Sequence, residues 1–346
     1  MFPIKRALLI VNRAAGIGND VVVENLSSIF KEALTGRAEV KIALVSDHQT
    51  ARNRTTEFMQ SSNEPSVIIA GGGGTLRAVI EGICGEHASG PLPGPERVRV
   101  GALRMGSGNV LAKRFGVPRD PAVGLKGLLK NLETGRTVPC CVMRCEVWNS
   151  DGHLEIHHAA TMAGLGQFGR IPSDLAGWQQ RLPRIHKSAA HLLGLEKLTN
   201  IEYALALFFR SVACVLFTKS AEAVEIHFNG QPEKMRLLSG VAMSFPIEAL
   251  PFKRRLEQES VSLYLVPQAG KLSPLRQMFP RSLVARARCL ELEKGRPVEI
   301  RLTDRNCISF FLDEDTITIF RRFSLGVAAS IAFVPGPDYL DGEKIR

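Results

Sequence analysis

The sequence predicts an α/β protein of two domains, because the two parts of its 346 residues differ in their hydrophobic pattern. Up to about residue 135, short apolar runs alternate with longer stretches of helical spacing, which indicates a parallel sheet with helices on its faces. Beyond Gly135, strand-like alternation dominates. We therefore expect a parallel-sheet domain over residues 1–137, a β-rich second domain over 138–320, and a C-terminal segment, 321–346, that could return to the first domain.

The elements of the first domain are expected in alternating order. Strands are expected at the apolar runs 7–11, 40–45, 67–70 and 98–103. Helices are expected where apolar residues recur at helical spacing, at 22–34, 50–60, 109–115 and 121–133. Gly116 and Pro118 stop the third of these helices, and the Gly- and Pro-rich stretch 85–95 predicts a loop before the fourth strand.

The second half predicts mainly strands. Period-two alternation marks them at 142–148, 154–159, 223–228, 261–266, 298–302 and 308–312. Helices are expected at 201–216 and 272–282. No internal repeat or low-complexity segment occurs, so the domain boundary depends on the change of pattern near residues 135–139.

The cysteines indicate reduced thiols and a cytoplasmic protein. Their number, seven, is odd, and their spacing fits neither a disulfide framework nor a zinc site. Three of them and two histidines could in principle hold a metal: Cys140, Cys141, Cys145, His157 and His158. Without a CxxC or HxxxH spacing, small apolar residues on a strand are the simpler interpretation.

Charge and hydropathy limit the partners. The formal net charge of +10 favours an anionic partner, although it could equally serve solubility. The N-terminal apolar run is too short for a signal peptide, and the run 204–217 is interrupted by Arg210 and shorter than the roughly 20 residues of a membrane span. Any membrane contact would therefore be peripheral.

Basic clusters could provide such a contact with anionic lipid headgroups, although solvated loops are the simpler interpretation. They lie at 181–187, 253–255 and 281–288. Nucleic acid is disfavoured, because no RNA-binding motif is present and only 6% of residues are aromatic. The oligomeric state is left open, a homodimer included.

The most informative stretch, VIIAGGGGTLRAV at residues 67–79, joins a strand to four glycines, a threonine and a helical pattern. A strand, a glycine turn and a helix start form a cradle for phosphate, because the first N–H groups of the helix point at the anion. We expect the glycines to allow close approach of the backbone and to adopt positive φ. No carboxylate lies within the cradle.

Two further turns accompany this one, each after an expected parallel strand: NRAAG at 12–16 and GSGN at 106–109. Ligands bind open α/β sheets at the carboxyl ends of the strands, so the three turns predict one shared pocket. A dinucleotide-binding Rossmann fold is disfavoured, because no GxGxxG follows the first strand and no carboxylate ends the second. A P-loop is disfavoured because GxxxxGK[ST] is absent.

With these three blocks, the chain resembles the diacylglycerol kinase catalytic-domain family, which includes bacterial lipid kinases and sphingosine kinases and is distantly related to NAD kinases. The blocks match the family's NPxSG, GGDGT and GTxN in order and spacing, and TLRAVIEG and NVLAKRFGVP match the sequences that follow. The resemblance implies a nucleotide-binding α/β domain, a β-sandwich second domain, ATP and Mg²⁺ as cofactors, and transfer of the γ-phosphoryl group to a lipid hydroxyl.

The resemblance also implies which residues form the site. The nucleotide-binding residues would be Asn12, Gly71, Gly72, Gly73, Gly74, Thr75, Gly106, Ser107 and Asn109. Ser46 lies where the family often has a nucleotide-facing threonine. Thr75 could alternatively be a simple helix N-cap.

The departures from the family pattern lie at acidic positions. Gly73 replaces the aspartate of GGDGT, and Phe168 aligns with a second family aspartate. The acidic segment that helps to hold magnesium is replaced by residues 257–260. The family's late DGE corresponds to residues 313–315, so Asp315 would be the general base and Glu314 the fallback, with a solvated acidic turn as the alternative.

Two functions follow from the resemblance. The first is an ATP-dependent lipid kinase that acts on diacylglycerol or a sphingoid-type lipid at a membrane surface. The second is a catalytically impaired, nucleotide-binding pseudokinase with a regulatory role, which the weakened acidic positions favour. An NAD kinase is less consistent, because that family's NE dipeptide is missing.

Overall fold

The computed structural model of the chain describes residues 4–15, 20–61, 64–85, 92–106, 109–174, 212, 215, 221–245, 259–276, 284–304, 307–313 and 315–339. Contacts between Cα atoms divide the chain into two compact units. The first unit comprises Met1–Val142 and Ala328–Arg346, and the second comprises Met143–Val327.

The strands are β1 (Arg6–Asn12), β2 (Glu39–Val45), β3 (Pro65–Gly71), β4 (Arg99–Arg104), β5 (Val138–Trp148), β6 (Leu154–Ala159), β7 (Met162–Gly166), β8 (Glu222–Phe228), β9 (Gln231–Met243), β10 (Val261–Pro267), β11 (Arg288–Leu292), β12 (Val298–Leu302), β13 (Cys307–Leu312), β14 (Asp315–Phe320) and β15 (Arg322–Phe333). The helices are α1 (Asp20–Leu34), α2 (His48–Gln60), α3 (Gly73–Cys84), α4 (Val110–Arg114), α5 (Pro121–Thr134) and α6 (Ser273–Arg276).

The first unit is built on a parallel sheet in the order β2-β1-β3-β4. Its central strand β3 is buried along its whole length, as an apolar strand with helices on both faces must be. Helix α2 packs with α3, and α1 packs with α5. The last residues of β15 extend this sheet, because Ala332 and Phe333 pair in parallel with β4.

Local sequence explains where the helices of this unit begin and end. The side chain of Asp120 accepts hydrogen bonds from the backbone N–H groups of Ala122 and Val123, and Pro121 occupies the first turn of α5. Gly85 and Gly135 end α3 and α5 in the left-handed conformation that glycine adopts most easily. After β15, the side chain of Asn131 on α5 donates hydrogen bonds to the carbonyls of residues 335 and 336.

The second unit consists mainly of antiparallel strands. Strand β9 lies between β7 and β8 and also pairs with β10. Beyond β7, the sheet continues with β13 and then β14. The predicted fold class is confirmed: a parallel α/β unit is followed by antiparallel strands consistent with a sandwich. The cysteines of β5 are buried, as expected for small apolar residues on a strand.

The sequence patterns did not predict β7, β9, β11, β14 and β15. Strand β9 begins with four exposed residues and is buried only from Leu237 onwards, so it does not alternate along its length. The helix expected over 272–282 is described only as α6, and the remainder lies outside the described residues. The helix expected over 201–216 also lies outside them, apart from 212 and 215.

None of the described helices is long and apolar enough to cross a membrane. The basic clusters 181–187 and 253–255 lie outside the described residues, as does the first part of 281–288.

Candidate nucleotide site

The carboxyl ends of the parallel strands place the three glycine-containing turns at one edge of the first unit. Asn12 pairs with Val45 of β2, the preceding residue Val11 pairs with Ala70 of β3, and Gly71 pairs with Arg104 of β4. The final residues of four neighbouring strands therefore form one row across the sheet. Each turn begins directly after this row.

A hydrogen bond joins the first turn to the second. The side-chain Nδ2 of Asn12 donates to the hydroxyl Oγ1 of Thr75 over 2.8 Å, and the Oδ1 of Asn12 accepts from the backbone N–H of Ala14 over 2.8 Å. Thr75 is buried. The N-cap of α3 is Gly72, with no side-chain capping bond, so the alternative interpretation of Thr75 as the N-cap is wrong.

The backbones of the second and third turns approach closely. A Cβ built on Gly106 would lie only 2.4 Å from the Cα of Gly72, and one on Gly71 would lie 2.6 Å from the side chain of Thr75. None of the glycines at 71–74 and 106 has a positive φ, so that part of the sequence prediction is wrong. Gly106 is required by the close approach of its backbone to Gly72, which any side chain at Gly106 would prevent.

Only part of the predicted glycine turn is a turn: Gly71 ends β3 and Gly72 is the N-cap of α3. Gly73 and Gly74 already belong to the first turn of α3, and no side chain caps this helix. Its first N–H groups therefore remain directed towards the edge where the three turns meet, together with the positive end of the helix dipole. This arrangement suits a phosphate or another anion.

The third turn is stabilised by hydrogen bonds between the side chain of Asn109 and the backbone of Gly106. The Oδ1 of Asn109 accepts from the backbone N–H of Gly106 over 2.9 Å, and its Nδ2 donates to the carbonyl of Gly106. Asn109 has a φ of 48°, so the left-handed residue of this turn is an asparagine. Ser107 lies outside the described residues.

The loop after β2 contributes a carboxylate that the sequence interpretation missed. Asp47 caps α2 by accepting from the backbone N–H of Thr50 over 2.8 Å, and this hydrogen bond is the main reason why the pKa of Asp47 is lowered. The exposed hydroxyl of Ser46 donates to the same carboxylate. The sequence signal for this N-cap is an aspartate directly before a helical pattern, three residues before a threonine, and it could have identified Asp47.

In the second unit, the side chain of Asp313 has a structural role, because it binds backbone N–H groups between β6 and β7. Its buried carboxylate accepts hydrogen bonds from the backbone N–H groups of Ala160, Thr161 and Met162, over 2.7, 2.8 and 3.1 Å, and from the hydroxyl of Thr161. Burial raises the pKa of Asp313, and these four donors oppose the increase. The expectation of a solvated acidic turn is therefore wrong for Asp313.

The other acidic positions have different surroundings. Asp315 is half-buried at the start of β14, opposite Leu312, and Glu314 lies outside the described residues. Phe168 packs against Phe311 with ring centroids 5.9 Å apart. Of the segment that replaces the family's acidic stretch, residues 257 and 258 lie outside the described residues and Glu259 is exposed.

The residues of this edge fit a phosphate chain and do not fit a magnesium ion. The uncapped N–H groups at the start of α3 can bind an anion, whereas the only described carboxylate in the loops that follow these strands is that of Asp47, which caps a helix. In the part of the chain that the structure describes, no three acidic, histidine or cysteine side chains form a metal-binding group. The chemistry of the donors therefore favours anion binding.

Comparisons with known proteins agree with this geometry. Residues 6–144 match the model of the diacylglycerol kinase catalytic domain, which confirms the resemblance for this part of the chain. No curated protein matches the sequence.

Solved structures show the same fold. A crystal structure of a diacylglycerol kinase from Bacillus anthracis is 14% identical, with a TM-score of 0.60, 98% of this chain and 100% of that chain covered. A second structure from the same organism, provisionally assigned as a diacylglycerol kinase, is 15% identical with a TM-score of 0.63 and the same coverage. The similarity to yeast NADH kinase complexed with NADH is lower, with 10% identity, a TM-score of 0.48, and 96% of this chain and 84% of that chain covered.

Proposed function

We propose that this chain binds ATP across the three turns and transfers the γ-phosphoryl group to the hydroxyl of a lipid, because residues 6–144 match the model of the diacylglycerol kinase catalytic domain. The acceptor would be a diacylglycerol or a sphingoid-type lipid, reached by peripheral contact with a membrane surface. The net charge of +10 supports contact with such an anionic surface.

The observation that carries this proposal is the convergence of the three turns at the uncapped start of α3. Asn12 holds the first turn to Thr75, and Gly72 lies against Gly106, so the positions of the turns are fixed by direct contacts. A preformed set of N–H groups binds phosphate oxygens without a large cost in ordering the chain. Catalysis of phosphoryl transfer consists mainly of such positioning and of charge stabilisation.

Asp315 is the proposed general base, which would take the proton from the lipid hydroxyl as it attacks the γ-phosphorus. Of the two described acidic residues at this hairpin, Asp313 already accepts four hydrogen bonds in the core. Asp315 remains partly accessible at the start of β14. A carboxylate that performs proton transfer must reach its substrate, which supports Asp315 over Asp313.

A second candidate function is nucleotide binding without transfer, as in a regulatory pseudokinase. The observation that favours it is the lack of a carboxylate from residue 71 to residue 75, together with the structural role of Asp313. Loss of groups that organise charge at the γ-phosphate should reduce transfer more than binding.

Two measurements test these functions. Calorimetry with ATP, in magnesium and in EDTA, measures binding. Transfer of a radiolabelled γ-phosphoryl group to diacylglycerols, sphingoid bases and phosphatidylglycerol in mixed micelles measures catalysis. Binding with transfer supports the kinase, and binding without transfer to any lipid supports the second candidate. A protein that does not bind ATP refutes both.

Gly73→Asp is a sharper probe of the same question. Gly73 is the first residue of α3 and has no positive φ, so an aspartate fits the backbone and interacts favourably with the helix dipole. The matched control is Gly73→Asn, which has the same shape without the charge. An increase in transfer with Gly73→Asp alone would show that the missing carboxylate limits catalysis. Asp315→Asn should abolish any transfer while ATP binding is retained.

A further inference from the structure

Arg104 is the last residue of β4 and pairs with Gly71, the first glycine of the cradle. It belongs to the same row of strand ends as Asn12, which holds the cradle through Thr75. The sequence interpretation did not select it as a site residue. Its position places an arginine at the edge where the phosphate chain would lie.

The register of the sheet determines the face on which Arg104 lies. Residues paired in parallel strands direct their side chains to the same face, and a Cβ on Gly71 would point to Thr75. The neighbouring position Leu103 lies on the other face, where its side chain approaches Gly124 of α5. Because side chains alternate along a strand, Arg104 lies on the face of Thr75 and the first turn of α3.

The charge of Arg104 has no partner in the part of the chain that the structure describes. Its Nε is buried without a hydrogen bond, and no carboxylate among the described residues forms an ion pair with it. Burial lowers the pKa of Arg104, and the nearby charge of Arg119 lowers it further. By contrast, Arg6 and Arg77 are each paired with a glutamate. A partly desolvated guanidinium beside an uncapped helix N-terminus is stabilised by an anion.

We propose that Arg104 is a phosphate-binding residue of this site and that its guanidinium supplies positive charge to the phosphate chain of a nucleotide without a divalent cation. This inference rests on the proposed nucleotide-binding function. A guanidinium is suited to the role because its planar set of donors can bind two phosphate oxygens at once and because it stays charged. The same edge offers no carboxylate cluster for a metal among its described residues.

The test compares Arg104→Gln with Arg99→Gln by calorimetry in EDTA, with ATP, ADP and adenosine. Arg99 is a matched control, because it is half-buried at the opposite end of β4 and its pKa is also lowered by burial. We expect wild-type protein to bind ATP in EDTA within about twofold of its affinity in magnesium. Arg104→Gln should weaken ATP and ADP binding about tenfold or more, the range of a charge-assisted contact, and leave adenosine binding unchanged. Arg99→Gln should bind all three as wild type does.

A second measurement uses the unaltered protein. Phenylglyoxal modifies accessible arginines, and peptide mass spectrometry identifies the sites. ATP in EDTA should protect Arg104 and leave the modification of Arg99 unchanged, a result that does not depend on whether a variant folds.

The outcomes separate the inference from the function on which it rests. Three results would overturn the inference alone. Arg104→Gln could bind ATP as tightly as wild type, ATP could fail to protect Arg104 from phenylglyoxal, or wild-type protein could bind ATP only with magnesium. Failure of wild-type protein to bind ATP under both conditions would overturn the proposed function and the inference together.

Discussion

Glu81 is a buried carboxylate of α3, the helix that begins in the glycine cradle, and its removal should loosen that helix. Its Oε1 accepts from Nε and Nη2 of Arg77 over 3.1 and 3.0 Å, and its Oε2 lies 2.7 Å from Nε2 of His48. Arg77 and Glu81 are each 6% exposed, so their charges depend on each other. His48 is the first residue of α2, and the cluster therefore also joins α2 to α3.

Glu81→Met should destabilise the contact between α2 and α3 by about 3–5 kcal/mol, because it removes a buried carboxylate that accepts two hydrogen bonds from the buried guanidinium of Arg77. Methionine has nearly the helix propensity of glutamate, so the helix itself is little affected. The double substitution Arg77→Met with Glu81→Met should recover most of the loss, since hydrophobic replacement of a buried ion pair is often neutral. Glu57→Met, at an exposed ion pair with Arg54 on α2, should cost about 0–1 kcal/mol.

Hydrogen–deuterium exchange measured on peptides of α2 and α3 is the appropriate assay, because it reports local opening in a protein of two units. A change of about 3–5 kcal/mol corresponds to about 160- to 5,000-fold faster exchange of amides that open locally. Peptides from the second unit should exchange as in wild type. Equal exchange in Glu81→Met and Glu57→Met, or a double variant less stable than Glu81→Met, would refute the reasoning from burial.

Three further predictions concern single contacts. Gly106→Ala should weaken ATP binding by about tenfold or more with unchanged circular dichroism, because its Cβ would lie 2.4 Å from the Cα of Gly72 and force the turns apart. Asp313→Ala should destabilise the second unit by about 3 kcal/mol or more in urea, because three backbone N–H groups and a hydroxyl lose their acceptor. Asn131→Ala should accelerate hydrogen exchange in residues 335–339, because it removes the side-chain bonds to two carbonyls of that segment.

Each of these predictions has a result that contradicts it. Wild-type affinity in Gly106→Ala would show that the two turns can separate without loss of the site. An Asp313→Ala protein within about 1 kcal/mol of wild type would show that the freed donors find other partners. Unchanged exchange near residue 335 in Asn131→Ala would show that packing alone holds the C-terminal segment.

Much of the first unit could be predicted because its signals are local. The strand β1 and the helix α5 lie within two residues of their expected bounds, since an unbroken apolar run and a helical spacing ended by glycine depend on neighbouring residues only. The order of these elements also indicated the parallel sheet. Strand β9 was missed because its first part is exposed and its last part buried, so no single periodicity describes it.

The candidate site could be predicted in location and only partly in function. Motif order placed the three turns at the carboxyl ends of the strands, where the register of β1, β3 and β4 brings them together. The prediction of positive φ was wrong for the described glycines of the second and third turns, and the need for a glycine at Gly106 comes from Gly72, a residue distant in the sequence. Whether Asp315 acts as a base remains a prediction.

The sequence by itself determined the alternation of elements, the three turns and the lack of a carboxylate at Gly73, because each is a property of residues close together in the chain. Only the tertiary structure decided which polar groups have partners. Asn12 and Thr75 are 63 positions apart, and Asp313 meets Ala160 across 153 positions. The physical reason is that burial and hydrogen bonding depend on spatial neighbours: the same fold that engages Asp313 with four donors leaves Arg104 without a carboxylate partner among the described residues.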